Sequence, residues 1–128
     1  MSRIPTEHFS LRELQCPCCE RADFQEGFLD RLERLRVDFG EIMPINSGFR
    51  CPNYNETVSK TGRNGPHTRG AVDVAVCGAK TYRMLLAALR AGFTGIGLRQ
   101  SGPYPARFMH LDALPHSLTS PRPRIWTY

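Results

Sequence analysis

The sequence predicts a single α+β domain, in which helices flank a small mixed or antiparallel sheet. Three observations carry this reading. The chain has 128 residues, enough to bury one core but not two. Two stretches, 26–39 and 79–91, carry apolar residues at helical spacing. The apolar runs between and after them are short, β-branched or broken by glycine, and the helices flank these runs rather than alternating with them.

Taken in order, Ser10-Leu11-Arg12-Glu13 reads as a capping box that opens a short helix, with Phe9 as its hydrophobic staple. In 26–39 the apolar positions are Phe28, Leu29, Leu32, Leu35 and Phe39, and Gly40 is the expected stop. Residues 42–46 read as a short strand in which Pro44 is tolerable at an edge. Residues 51–56 read as a short helix with Pro52 in its first turn, and 61–66 as a loop. Residues 72–76 are a strand. Residues 79–91 are an amphipathic helix presenting Tyr82, Leu85, Leu86 and Leu89, closed by Gly92. A glycine-broken strand follows over 94–98, then a turn over 101–105 and a last strand over 108–114. The end, 121–128, reads as a basic, proline-rich tail with aromatics.

The chain is 41% hydrophobic and 23% charged, ordinary for a globular domain. Its net charge of +5 and pI near 9.2 suit a polyanionic partner such as nucleic acid, a cell wall or an anionic membrane. Nucleic acid is disfavoured, because aromatics do not interleave with basic residues in any recognisable motif. No apolar run approaches the ~18 residues of a membrane span. Residues 1–7 lack the apolar segment of a secretory leader, so the expectation is synthesis in a cytoplasm. Five cysteines, an odd number, argue for reduced thiols over a disulfide framework. The cluster Cys16-Pro17-Cys18-Cys19 reads as free, buried thiols, with a second, structural metal as the alternative.

The chemistry gathers in two places. Gly65-Pro66-His67-Thr68-Arg69-Gly70-Ala71-Val72-Asp73 sets a histidine and an aspartate around a glycine turn. About forty residues on, Phe108-Met109-His110-Leu111-Asp112 places a second histidine and aspartate on one face of a strand. His67, Asp73 and His110 make a three-ligand set for one zinc ion, with the fourth position open, the arrangement of a catalytic rather than a structural zinc. Asp112 is then close enough either to touch a water in that position or to orient a ligand. His8 and His116 read as surface histidines.

These motifs resemble the zinc D-Ala-D-Ala carboxypeptidase and L-alanyl-D-glutamate endopeptidase family, which includes phage endolysins and shares its fold with the Hedgehog signalling domain. That family's pattern is Ser-x-His-x-x-Gly-x-Ala-x-Asp with a later histidine. His67, Gly70, Asp73 and His110 match it. Ser47-Gly48-Phe49-Arg50-Cys51-Pro52 is similar to the family's Ser-Gly-Tyr/Phe-Arg-Ser-Pro segment, and Phe9 to Cys16 to the opening of its small single-domain branch. The resemblance covers roughly residues 8–126. It implies that Arg50 binds a substrate carboxylate or carbonyl oxygen. Three positions depart from the pattern: the His67–Asp73 interval is one residue short, Gly65 replaces Ser, and Arg107 stands where many relatives carry an acidic base. Asp112 is the best remaining base, with Glu56 a distant second.

The resemblance implies a monomeric zinc peptidase that cleaves peptidoglycan stem peptides, as carboxypeptidase or endopeptidase. It would act on the wall after release, in the manner of a phage lysin. The first alternative is a non-catalytic, zinc-bearing wall-binding module on the same fold. Another is a cysteine peptidase pairing Cys51 with His67.

Overall fold

Local chemistry at Ser10 starts the described chain, residues 6–128 of a computed structural model. The leader reading rests on residues 1–7, of which 1–5 lie outside the described residues. The Glu13 N–H donates to Ser10 Oγ, and the Ser10 N–H donates to Glu13 Oε1 at 2.8 Å, so both halves of the capping box form. They open α1 (Leu11–Leu14).

Helix α2 (Phe28–Phe39) buries the five apolar residues its spacing marks: Phe28, Leu29, Leu32, Leu35 and Phe39. Gly40 ends it at φ +78°, its N–H donating to the Arg36 carbonyl. Helix α5 (Ala79–Ala91) has the predicted span but a different buried face. Met84, Ala87 and Ala88 face the core, while Tyr82, Leu86 and Leu89 are exposed. Alanines on the inner face let α5 lie close to its neighbours, and the larger residues are turned out. Arg31 of α2 donates to the carbonyls of Ala91 and Gly92 at 2.9 Å each, which ties the two helices and satisfies carbonyls left over at the end of α5.

The sheet is mixed, as predicted. Its strands are β1 (Ile45–Ser47), β2 (Ala71–Ala75), β3 (Gly95–Arg99), β4 (Phe108–Asp112) and β5 (Arg124–Thr127), in the order β1-β2-β4-β3-β5. All neighbours are antiparallel except β3 and β5. Three elements depart from the sequence reading by more than a residue or two. The first strand begins after Pro44, whose carbonyl accepts the Ala75 N–H just ahead of it. The loop over 61–66 runs into a short helix, α4 (Pro66–Arg69), following α3 (Pro52–Val58). The tail is the fifth strand, because Arg124 to Thr127 pair in register with Gly95 to Leu98.

Period-two alternation divides the sheet's faces. Val72, Val74, Ile96, Met109 and Leu111 point into the core with residues of α2 and α5. Asp73, His110, Asp112 and the glycines of β3 point the other way. Full burial of each of the larger apolar side chains contributes about 1.5–3 kcal/mol.

Candidate metal centre

Strand register assembles a row across the open face of the sheet. Asp73 of β2 lies opposite His110 of β4, His110 opposite Gly97 of β3, and Gly97 opposite Trp126 of β5. One step along, Asp112 lies opposite both Ala71 and Gly95. The glycines make space. A Cβ at Gly95 would sit 2.2 Å from Asp112 Oδ1, and one at Gly97 would sit 2.6 Å from Trp126 Nε1. The indole therefore packs 5.2 Å, centroid to centroid, from the His110 ring.

His67 arrives from α4. Pro66 starts that single turn, and Gly70 (φ +117°) turns the chain into β2. The six-residue interval to Asp73 accommodates this turn and brings His67 Nε2 to 3.3 Å from Asp73 Oδ1. His110 Nδ1 lies 3.1 Å from the same oxygen. His67 Nε2, Asp73 and His110 Nδ1 thus present three ligand atoms within 4.8 Å of one another.

The other ring nitrogens are held. His67 Nδ1 donates to the Gly48 carbonyl at 2.8 Å, and the Gly48 Cα is pressed against the Leu14 backbone, where no side chain would fit. His110 Nε2 donates to Asp112 Oδ2, also at 2.8 Å. With the outer nitrogen holding the proton of the neutral ring, each imidazole offers its converging nitrogen's lone pair, the tautomer a metal requires.

Asp112 does not reach the open side of the site. It has 0% exposure, and both oxygens are occupied. Oδ1 accepts from Arg122 Nε and the Leu114 N–H, while Oδ2 accepts from Arg122 Nη2 at 2.7 Å as well as from His110. Of the two roles its position on the strand allowed, the geometry matches the orienting one and corrects the expectation of a base. Glu56 faces Arg63 on the exposed surface. Arg107, where relatives carry the acid, donates to the Gly102 carbonyl and stacks on Tyr104, away from the site.

Burial alone would raise the Asp73 pKa, but His110 and His67 outweigh it and hold the carboxyl well below the usual range. Asp112 is likewise depressed, against burial, by His110 and Arg122. His110 is raised, because its two carboxylates overcome the opposing effect of burial.

A cleft of about 830 Å³ opens over the site, lined by His67, Asp73, His110, Arg50, Arg69, Arg122, Arg124, Trp126 and Tyr128 among others. Asp73 is its one carboxylate among the described residues, so its walls are cationic. Arg50 is set by donation to Ser47 Oγ and Asn55 Oδ1, and its Nη2 stands 3.9 Å from Asp73 Oδ2. Asn55 is itself buried and donates to Thr61 and the Gly62 carbonyl. Cys51 faces Cys16 rather than His67 and does not line the cleft, which removes the geometry a cysteine peptidase would need.

A family model described as peptidase M15 matches residues 7–112. The chain belongs to the peptidase M15 family. Neither a curated protein nor a solved structure matches it. M15 peptidases are zinc metallopeptidases, and the donor set here fits that ion: two imidazole nitrogens and one carboxylate oxygen, with an open side toward the cleft. The match ends at Asp112. Arg122, Trp126 and Tyr128 lie beyond it, and the sequence reading missed all three as site residues. Their only signal was a Gly-x-Gly strand facing His-x-Asp, which leaves room for something larger to cover it.

Proposed function

We propose that this M15 peptidase hydrolyses peptide bonds in the stem peptides of peptidoglycan. The observation that carries the proposal is the convergence of His67 Nε2, Asp73 Oδ1 and His110 Nδ1, with both outer nitrogens already tied, at the floor of a cationic cleft. Zinc, when bound by these three residues, supplies an acidified water and a polarised scissile carbonyl.

The chain's own groups account for binding and orientation. Stem peptides carry carboxylates, and the arginines along the cleft attract them. Arg50, pre-set by Ser47 and Asn55, either grips a substrate carboxylate in bidentate fashion or stabilises the developing oxyanion. Asp112 and Arg122 hold His110 in place. The Tyr128 phenol lines the cleft and, protonated at neutral pH, can donate a hydrogen bond to the substrate. Action on the wall requires delivery across the membrane, and release of the lysin type is part of the proposal.

One observation favours a second reading, a zinc-bearing wall-binding module: no carboxylate besides Asp73 lines the cleft among the described residues to act as general base. Digestion of purified peptidoglycan separates the two. New peptide termini that vanish on chelation and return with zinc establish the peptidase, and mass spectrometry of the fragments names the bond. Zinc at one ion per catalytic site, with wall binding but no new termini, establishes the module.

A further inference from the structure

A second group of potential ligands involves Cys51, three residues after the Gly48 whose carbonyl holds His67. Cys16, Cys19 and Cys51 bring their sulfurs within 4.8 Å of one another. The chain at 16–21 closes on itself to present the first two. The Cys16 N–H donates to the Arg21 carbonyl at 2.6 Å, the Glu20 N–H donates to the Cys16 carbonyl at 2.8 Å, and Glu20 adopts φ +63°. A non-glycine residue in the left-handed region is uncommon, and here it completes the tight loop carrying the C-x-x-C spacing.

Cys51 comes from the residue before α3. Its N–H donates to Cys16 Sγ at 3.4 Å, and its own Sγ accepts the Tyr54 N–H at 3.4 Å. Backbone N–H groups aimed at sulfur are what a thiolate ligand needs around it. Cys16 and Cys51 are buried, whereas Cys18 and Cys19 are exposed. The expectation of uniformly buried free thiols is therefore not met.

We infer that Cys16, Cys19 and Cys51 form a structural zinc site, its fourth ligand the adjacent Cys18 thiol or a water. Sulfur-rich, four-coordinate sites of this kind select zinc and hold loops together. This one would clamp the 16–21 loop to the 47–51 segment, which supplies the Gly48 carbonyl to His67 and carries Arg50. The Phe49 N–H already donates to the Leu14 carbonyl, and the Arg50 N–H to the His67 carbonyl. Fixing Cys51 therefore fixes both edges of the cleft floor.

The test separates the two sites. His67→Ala removes a ligand from the His-Asp-His set and leaves the thiols alone. Purified under reducing conditions with excess Zn²⁺, that variant should retain one zinc per chain, and the double variant His67→Ala, Cys19→Ser should retain none. Co²⁺ in the single variant should give intense sulfur-to-metal charge-transfer absorption in the near ultraviolet, absent from the double variant. The wild type needs no substitution: its Co²⁺ titration should show the same band alongside a second, sulfur-free equivalent. A folded His67→Ala chain that binds no metal overturns the inference. So does a wild-type chain without the sulfur band, or one whose mass is lower by the two hydrogens of a disulfide and which stays metal-free after reduction. Loss of peptidase activity with the sulfur band intact bears on the proposed function alone.

Discussion

The His110 ring bridges two carboxylates: Nδ1 faces Asp73 Oδ1 at 3.1 Å and Nε2 faces Asp112 Oδ2 at 2.8 Å. Asp73 is on the side where a metal would bind, and Asp112 is behind the ring, locked by Arg122. Removing a carboxylate behind a ligating histidine typically weakens metal affinity 10–100-fold. Asp112→Asn should thus show about that loss in zinc titration, with turnover recovering at saturating zinc. A base would behave oppositely: zinc affinity would hold, and turnover would stay low however much zinc is added.

His67→Ala, Asp73→Ala and His110→Ala each delete one of three ligand atoms. Each variant should lose zinc from this site and lose peptide hydrolysis together. Dialysis of the wild type against a chelator should reproduce both losses, and added zinc should reverse them, as read by elemental analysis and fragment release.

Gly95 is the space in which the Asp112 carboxylate sits. Gly95→Ala drives a methyl into a buried, fully engaged ion pair. Overpacking costs about 1–3 kcal/mol, so urea unfolding should shift by that amount, with zinc affinity falling alongside. Gly27→Ala, where a Cβ meets nothing but φ is +85°, is the control for backbone strain without crowding.

Arg50 supplies charge from a fixed position rather than fold stability. Arg50→Ala should lower kcat/KM by roughly 10²-fold if the guanidinium stabilises the oxyanion. Arg50→Lys should restore little, because a lysine cannot reproduce bidentate donation. Thermal unfolding of the zinc-loaded variants should stay near wild type.

In the metal-free chain, Asp73 and Asp112 have pKa values below those of the unfolded chain, which lie near 3.9. Their stabilisation is complete above that value and is lost as pH falls through the folded ones. His110 is raised, so its contribution is present below about 6.5 and lost as pH rises past its folded value. The metal-free protein should therefore be most stable between those limits, and Asp112→Asn should flatten the acid side of its Tm–pH curve. Zinc should oppose the alkaline loss, since it takes the place of the proton on His110.

Where information is local, the sequence determined it. Ser10 and Glu13 cap α1, the Phe28–Phe39 stripe packs as its period dictates, and His67, Asp73 and His110 are recognisable because a metal constrains ligand type. The α+β class follows from short apolar runs flanked by, rather than alternating with, periodic helical stretches. Other features depended on what faces what, which no spacing along the chain specifies. The buried face of α5 was set by the close approach that alanine allows, against the larger residues beside it. The tail became β5 because the parallel edge of β3 offered partners to it. Asp112 was assigned by Arg122, ten residues away, which reached its carboxylate first. The thiols of Cys16, Cys19 and Cys51 met across segments that the Phe49 N–H to Leu14 carbonyl bond helps to join, a contact that no spacing specifies.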